Sequence, residues 1–126
     1  MRAVDTNVLV RLVTRDDVKQ VTAAEEFVAQ GAWVPYLAVA EATWVLASVY
    51  DRRPEAIAVA VEMLLSHQHL TVQDAEAVAA AVGQFRRRPA VGFSDCLMVE
   101  VARKAGHGPL GTFDRDLGKV DGAHRL

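Results

Sequence analysis

The chain has 126 residues, 52% hydrophobic and 24% charged, enough for one domain that buries roughly two-thirds of the surface its unfolded form exposes. Fourteen basic and sixteen acidic side chains give a formal net charge of −2, which excludes the strong overall positive field of a non-specific nucleic-acid binder but not a local basic rim. A single cysteine, Cys96, excludes an intramolecular disulfide and a thiolate-rich zinc site; with no membrane-length apolar run and no leader pattern, the expectation is a cytoplasmic protein with no membrane association.

Arg2-Ala3-Val4 reads as a buried strand that stops at Asp5, followed by a helical pattern through Val13. Asp17, after a polar turn, is placed to cap a second helix to about Gln30. Ala32 to Val34 is a short strand closed by Pro35, which cannot continue a ladder. Leu37 to Tyr50 reads as a helix, Arg52-Arg53-Pro54 breaks it, and Pro54 opens another with Ile57, Val61, Met63, Leu64 and Leu65 as its packing face. His69 to Val72 is the next strand, and Asp74 is placed to cap a helix to about Arg87. Phe93 to about Lys104 is a further helix ended by Gly106. Pro109 to Phe113 is a strand, Asp114 to Gly118 one helical turn, and Ala123 to Leu126 a terminal strand.

Short strands separated by helices, without hairpin signals, predict an α/β fold. The expected architecture is a three-layer α/β/α domain over residues 1–126, with a central parallel sheet of four to five short strands and helices on both faces.

Asp5 lies just beyond the end of the first strand, where α/β sheets place their chemistry; the competing role for Asp5 or Thr6 is a helix cap. Glu41 is the single charged residue of its helix and shares a stripe with Trp44 and Val45, so it needs a partner, a proton or a metal, or else a place at the surface near the helix N-terminus. Asp95 falls in the first turn of its helix, where it or Ser94 could cap, and Glu100 falls on a different, solvated face. Asp114 and Asp116 follow a strand as Asp5 does, with the Thr112 hydroxyl close by to orient a carboxylate or a water. Carboxylates from separate segments meeting at one sheet edge call for a hard divalent cation, Mg²⁺ or Mn²⁺, and the chemistry implied is metal-assisted hydrolysis of a phosphodiester.

Val4-Asp5-Thr6-Asn7-Val8-Leu9-Val10, Val39-Ala40-Glu41-Ala42, Gly92-Phe93-Ser94-Asp95 and Thr112-Phe113-Asp114-Arg115-Asp116 together resemble the acidic motifs of PIN-domain ribonucleases, and in particular VapC-type toxins of toxin-antitoxin pairs. Each motif is short; their order and spacing are specific. The resemblance implies a PIN fold, an acidic pocket for Mg²⁺ or Mn²⁺ formed by Asp5, Glu41, Asp95 and Asp114 with Asp116 as an outer ligand, endonucleolytic cutting of RNA, homodimerisation, and inhibition by a small antitoxin. Ser94 stands where many relatives have Ala. Asn7 is expected to support the first loop, and Thr112 to steady the carboxylates. Arg11, Arg15 and Arg115 are candidate phosphate contacts beside the acid motifs, since RNA must approach past the pocket's negative charge.

Other features carry less. Gly106-His107-Gly108-Pro109-Leu110-Gly111 fits GxGxxG literally, but it follows a helix and enters a strand, the reverse of a dinucleotide fingerprint. His67, His69, His107 and His124 lack ligand spacing, Arg86-Arg87-Arg88 suits a helix C-terminus, and Trp33 and Trp44 read as core or interface anchors rather than base-stacking groups. Alternative functions are a housekeeping RNA-processing PIN nuclease, a non-catalytic RNA-binding scaffold, or a receiver-like signalling module; the last would want paired acids after the first strand and a lysine after the last.

Overall fold

A computed structural model describes residues 1–126, which divide into two compact units, Met1–Ala75 and Glu76–Leu126. Six α-helices and five strands follow in the order β1 (Arg2–Ala3), α1 (Thr6–Thr14), α2 (Val18–Val28), β2 (Ala32–Val34), α3 (Tyr36–Ser48), α4 (Pro54–Ser66), β3 (Leu70–Val72), α5 (Ala75–Arg87), α6 (Phe93–Lys104), β4 (Leu110–Thr112) and β5 (Ala123–Arg125), with a 3₁₀ turn at Leu117–Lys119. Every strand pairing is parallel, as the alternation of strands and helices requires.

In the first unit the strands pair in the order β1-β2-β3. Ala32 and Val34 are fully buried and Trp33 between them is exposed, the two-residue period of a strand with one face on the core. Leu70, Thr71 and Val72 repeat the pattern in register with them. β1 departs from the buried strand expected: Arg2 and Ala3 are exposed and burial begins at Val4. The Val4 N–H still donates to the Trp33 carbonyl at 3.1 Å, so the chain stays paired up to Asp5.

Helix α1 turns its apolar stripe inward through Leu9, Val10 and Leu12 and packs on α2 and α3. It ends at Arg15, whose left-handed backbone (φ 54) returns its N–H to the Arg11 carbonyl. Asp17 then caps α2 by accepting the Gln20 N–H at 3.1 Å. Helix α3 has one charged side chain, Glu41, and only part of its apolar surface faces the core: Val39, Ala42 and Leu46 are buried, whereas Leu37 and Trp44, and Val49 just past its end, are 64%, 66% and 66% exposed. Helix α4, opened by Pro54, buries Ile57, Val61 and Leu64 of the expected face, leaving Met63 exposed and Leu65 half-buried.

The second unit is built from α5 and α6, with β4 and β5 forming their own two-stranded ladder. The five strands are thus shared between two ladders, three plus two, and the single sheet expected is not seen as one hydrogen-bonded set. Phe85 and Phe93 meet edge to face with ring centres 6.1 Å apart, a favoured aromatic arrangement.

Glu100 is a correction. Expected on a solvated face of α6, it is buried and accepts from Gln84 Nε2 at 3.3 Å and Arg103 Nε at 3.2 Å. Gln84 and Arg103 also donate to the Asp121 carbonyl, at 3.3 and 2.7 Å. The next residue, Gly122, has φ 96, and a Cβ there would lie 2.5 Å from the Arg103 guanidinium and 2.9 Å from Val99. Only glycine admits this close approach, and it brings the Asp121 carbonyl to the network. Helical periodicity assigned Glu100 a face correctly but not what covers that face.

Candidate active site

Asp5 performs the capping role that competed with a catalytic one. Its backbone is extended (φ −97, ψ −177) and Oδ1 accepts the Val8 N–H at 3.2 Å, satisfying one of the orphan donors of α1. The side chain remains solvent-exposed. Capping uses one oxygen, so the carboxylate keeps acceptor capacity for a second partner.

Thr6, the next residue, donates from Oγ1 to Glu41 Oε2 at 2.7 Å. This contact ties the start of α1 to α3 and fixes the orientation of the second acid. Glu41 is exposed, with Leu37 and Trp44 on its stripe equally in solvent. Its charge is therefore accommodated by a hydroxyl and water. The partner of Glu41 was not read from the sequence, where Thr6 figured only as an alternative cap.

In the second unit, Asp95 lies in the first turn of α6, whose cap position is Gly92, with no side-chain cap. Asp95 is half-buried. Burial, and after it the charge of Asp114, pushes its carboxyl above the ordinary aspartate value, because both disfavour the ionised form. Asp114 is itself fixed: its N–H donates to Thr112 Oγ1 at 3.0 Å, and its Oδ2 accepts the Leu117 N–H at 2.7 Å. The bond of the Thr112 hydroxyl is thus to the Asp114 backbone, not to a carboxylate as expected of it. Asp116 begins the 3₁₀ turn, exposed and without a side-chain cap bond; Asp114 is the acid whose charge reaches Asp95.

The shift at Asp95 sets a stability prediction. Between the ordinary aspartate pKa and the raised one the folded chain binds more protons than the unfolded chain, so stability falls as pH rises through that window. Ionised Asp95 costs stability near neutrality. Asp95→Asn is expected to melt at higher temperature than the parent at pH 7 in EDTA, with the gap closing as pH falls through the window; thermal unfolding at several pH values checks this, and a lower melting temperature for the variant at pH 7 would contradict it.

Arg11 is committed within the first unit. Its Nη1 donates to Asp16 Oδ1 and to the Tyr50 hydroxyl, each at 2.9 Å, and its Nε to Gln20. The hydrogen bond to Tyr50 is the main reason its pKa lies above the ordinary arginine value. Thr14, followed by Tyr50 and Arg11, holds Asp16 below the usual range. Arg15 pairs with Glu25 at 3.1 Å, and Arg115 is exposed one residue beyond Asp114. Asn7, exposed, shares with Arg11, Gln20 and Phe27 the wall of an open cleft of about 320 Å³. Cys96 is fully buried, and burial followed by the charges of Asp95 and Glu100 pushes its thiol up to about 11; it is a packing group, not a nucleophile.

The donors suit a hard divalent cation, because every candidate is a carboxylate. A cation would also relieve the like-charge strain between Asp95 and Asp114. Within neither unit do three or more His, Cys, Asp or Glu side chains gather at ligand spacing; in the first unit Glu41 is bonded to Thr6, next to Asp5 in the chain, and in the second the charge of Asp114 bears on Asp95.

A family model described as PIN domain matches residues 2–123, which include all of these acids and run through both units. No curated protein and no solved structure shows significant similarity to the chain.

Proposed function

The chain belongs to the PIN-domain family, whose members are in general metal-dependent nucleases, and from that premise we propose that it is an Mg²⁺-dependent endoribonuclease, with Mn²⁺ able to substitute. Asp5, Glu41, Asp95 and Asp114 hold the metal, with Asp116 as an outer ligand. The observation that carries the reading is the family match over residues 2–123, which takes in all four acids; the half-buried Asp95, whose carboxyl is raised by burial and then by the charge of Asp114, agrees with a site there.

A divalent cation bound there supplies Lewis-acid stabilisation of the phosphate and a more acidic attacking water. The chain's own groups do the positioning. Thr6 fixes the Glu41 carboxylate, Thr112 and the Leu117 N–H fix Asp114, and the α1 cap holds Asp5. Asn7 supports the first loop, and Arg115, exposed beside Asp114, contacts substrate phosphate, as Arg11 and Arg15 do where their own carboxylate partners leave donors over.

In the cell, this activity is that of the toxin of a type II toxin-antitoxin pair, acting in the cytoplasm as a homodimer and silenced by a small cognate antitoxin. Support comes from the resemblance of the acid motifs and from α3, where Leu37 and Trp44 are exposed on the face that carries Glu41, so that a protein seated on them would cover an acid of the site. No helix is long and apolar enough to cross a membrane.

The test is incubation of the purified chain with total RNA in Mg²⁺, with and without EDTA, and mapping of new 5′ ends. Cleavage abolished by EDTA is expected. Intact RNA in Mg²⁺ and in Mn²⁺ would reject the nuclease reading, whereas cleavage without growth arrest on expression would favour a housekeeping RNA-processing role over a toxin.

A further inference from the structure

Helices α1 and α3 carry the first two acids of the site, Asp5 at the cap of one and Glu41 within the other, and they pack on each other. The faces they bury are mainly apolar, Leu9, Val10 and Leu12 on α1 and Val39, Ala42 and Leu46 on α3. Apolar burial draws such faces together but is non-directional, so it sets the slide and rotation of one helix on the other only loosely. Hydrogen bonds set them closely, because they hold only over a narrow range of distance and angle.

Two such ties join the pair. At one end Thr6 Oγ1 donates to Glu41 Oε2. Further along both segments, the Tyr50 hydroxyl accepts from Arg11 Nη1 at 2.9 Å and donates to Asp16 Oδ2 at 3.1 Å. Arg11 and Asp16 meet without its help: Arg11 Nη1 pairs directly with Asp16 Oδ1 at 2.9 Å, Thr14 Oγ1 donates to the same oxygen at 2.9 Å, and Gln20 takes the Arg11 Nε. Those bonds all close within α1, α2 and the turn between them, and the Tyr50 hydroxyl connects that cluster to α3. Tyr50 lies just past the end of α3 and is fixed to it, its N–H donating to the Val45 carbonyl at 3.3 Å and the Arg52 N–H to the Leu46 carbonyl at 2.9 Å. An ion pair with the Asp16 side chain 47% exposed contributes little net stability; what its fixed geometry supplies is register.

We propose that Tyr50 is a positioning residue for the first two acids: its hydroxyl holds α1 against α3 at the far end of the pair, so that Thr6 meets the Glu41 carboxylate and Asp5, one residue before Thr6, keeps a set relation to it. Tyr50 acts through the two helices and not on cation or substrate. The inference rests on the nuclease reading only for its consequence, that the two acids offer a divalent cation oxygens already in place; groups one step behind the ligands supply such order at metal centres.

The experiment follows the carboxyl-carbon resonance of Glu41 by NMR, in the full chain carrying isotopically labelled glutamate, at constant pH in EDTA, and then titrates the same chains with Mn²⁺. Thr6→Val removes the hydroxyl bonded to Glu41 and defines the resonance of a carboxylate that has lost it. Tyr50→Phe is expected to move the resonance the same way, although its hydroxyl does not touch Glu41, and to weaken Mn²⁺ binding about 10-fold, the low end of what groups behind a metal ligand contribute. Asp16→Asn repeats both effects from the other side of the triad. Thr22→Val also loses a hydroxyl, but one bonded within α2 to the Val18 carbonyl, and as the control it leaves both readings unchanged. The double variant Thr6→Val/Tyr50→Phe binds Mn²⁺ as weakly as Thr6→Val alone, because both hydroxyls act through one contact; independent effects would multiply. A Glu41 resonance unmoved in Tyr50→Phe, whatever the melting temperature, overturns the proposal, and so does multiplication in the double variant. A parent chain that binds no Mn²⁺ and leaves RNA intact sinks the nuclease reading alone, with the Glu41 resonance still deciding the role of Tyr50.

Discussion

Asp5→Asn is expected to lower the rate of RNA cleavage by at least about 10²–10³-fold, the scale seen when one electrostatic group at a reacting centre is removed, while leaving the melting temperature nearly unchanged. Asn caps helices as well as Asp does, so the bond to the Val8 N–H survives and only the negative charge is lost. Asp5→Ala removes both. It should lose the same activity and, in addition, about 0.5–2 kcal/mol of stability with the cap. The two variants therefore separate the two roles of one side chain: equal activity in Asp5→Asn and parent at saturating Mg²⁺ would leave Asp5 as a cap alone.

Glu100→Ala is expected to have the largest effect on stability among the polar substitutions, about 1–3 kcal/mol, read as a drop of roughly 5–15 °C in melting temperature. The carboxylate is buried and accepts from Gln84 and Arg103, which tie α5, α6 and the Asp121 carbonyl together. Its removal leaves Gln84 with one acceptor, frees Arg103 to move and opens a void under α6. Glu26→Ala on exposed α2 is the control and should shift stability by no more than about 0.5 kcal/mol. A Glu100→Ala chain as stable as the parent would show that the network forms without its central acceptor.

The contrast between Asp5 and Glu100 shows how far the sequence could be read. Asp5 was legible because its position follows from local pattern, an apolar run ending at an acid with a helix behind it. The helix starts at Asp17 and Pro54, the strands Ala32–Val34 and Leu70–Val72, and the α/β class were legible for the same reason: periodicity and capping act over a few neighbouring residues. Glu100 was misjudged because its partner Gln84 lies 16 positions away and Asp121, whose carbonyl shares the donors Gln84 and Arg103 with it, lies 21 positions away. β1 was misjudged in the opposite sense. Its apolar run reads as buried, but Arg2 and Ala3 are exposed and the core begins only at Val4.

The acids show the same division. Their identity, order and flanking motifs are written in the chain, and those alone point to carboxylate-metal chemistry and to the PIN-domain family. Which hydroxyl steadies which acid, Thr6 on Glu41 across 35 residues, and that Asp114 rather than Asp116 is the acid whose charge bears on Asp95, were decided by tertiary structure. Side-chain hydrogen bonds and charge interactions depend on distances of a few ångströms, and sequence fixes such distances only within a single turn of helix or strand; beyond that they are set by how the elements pack.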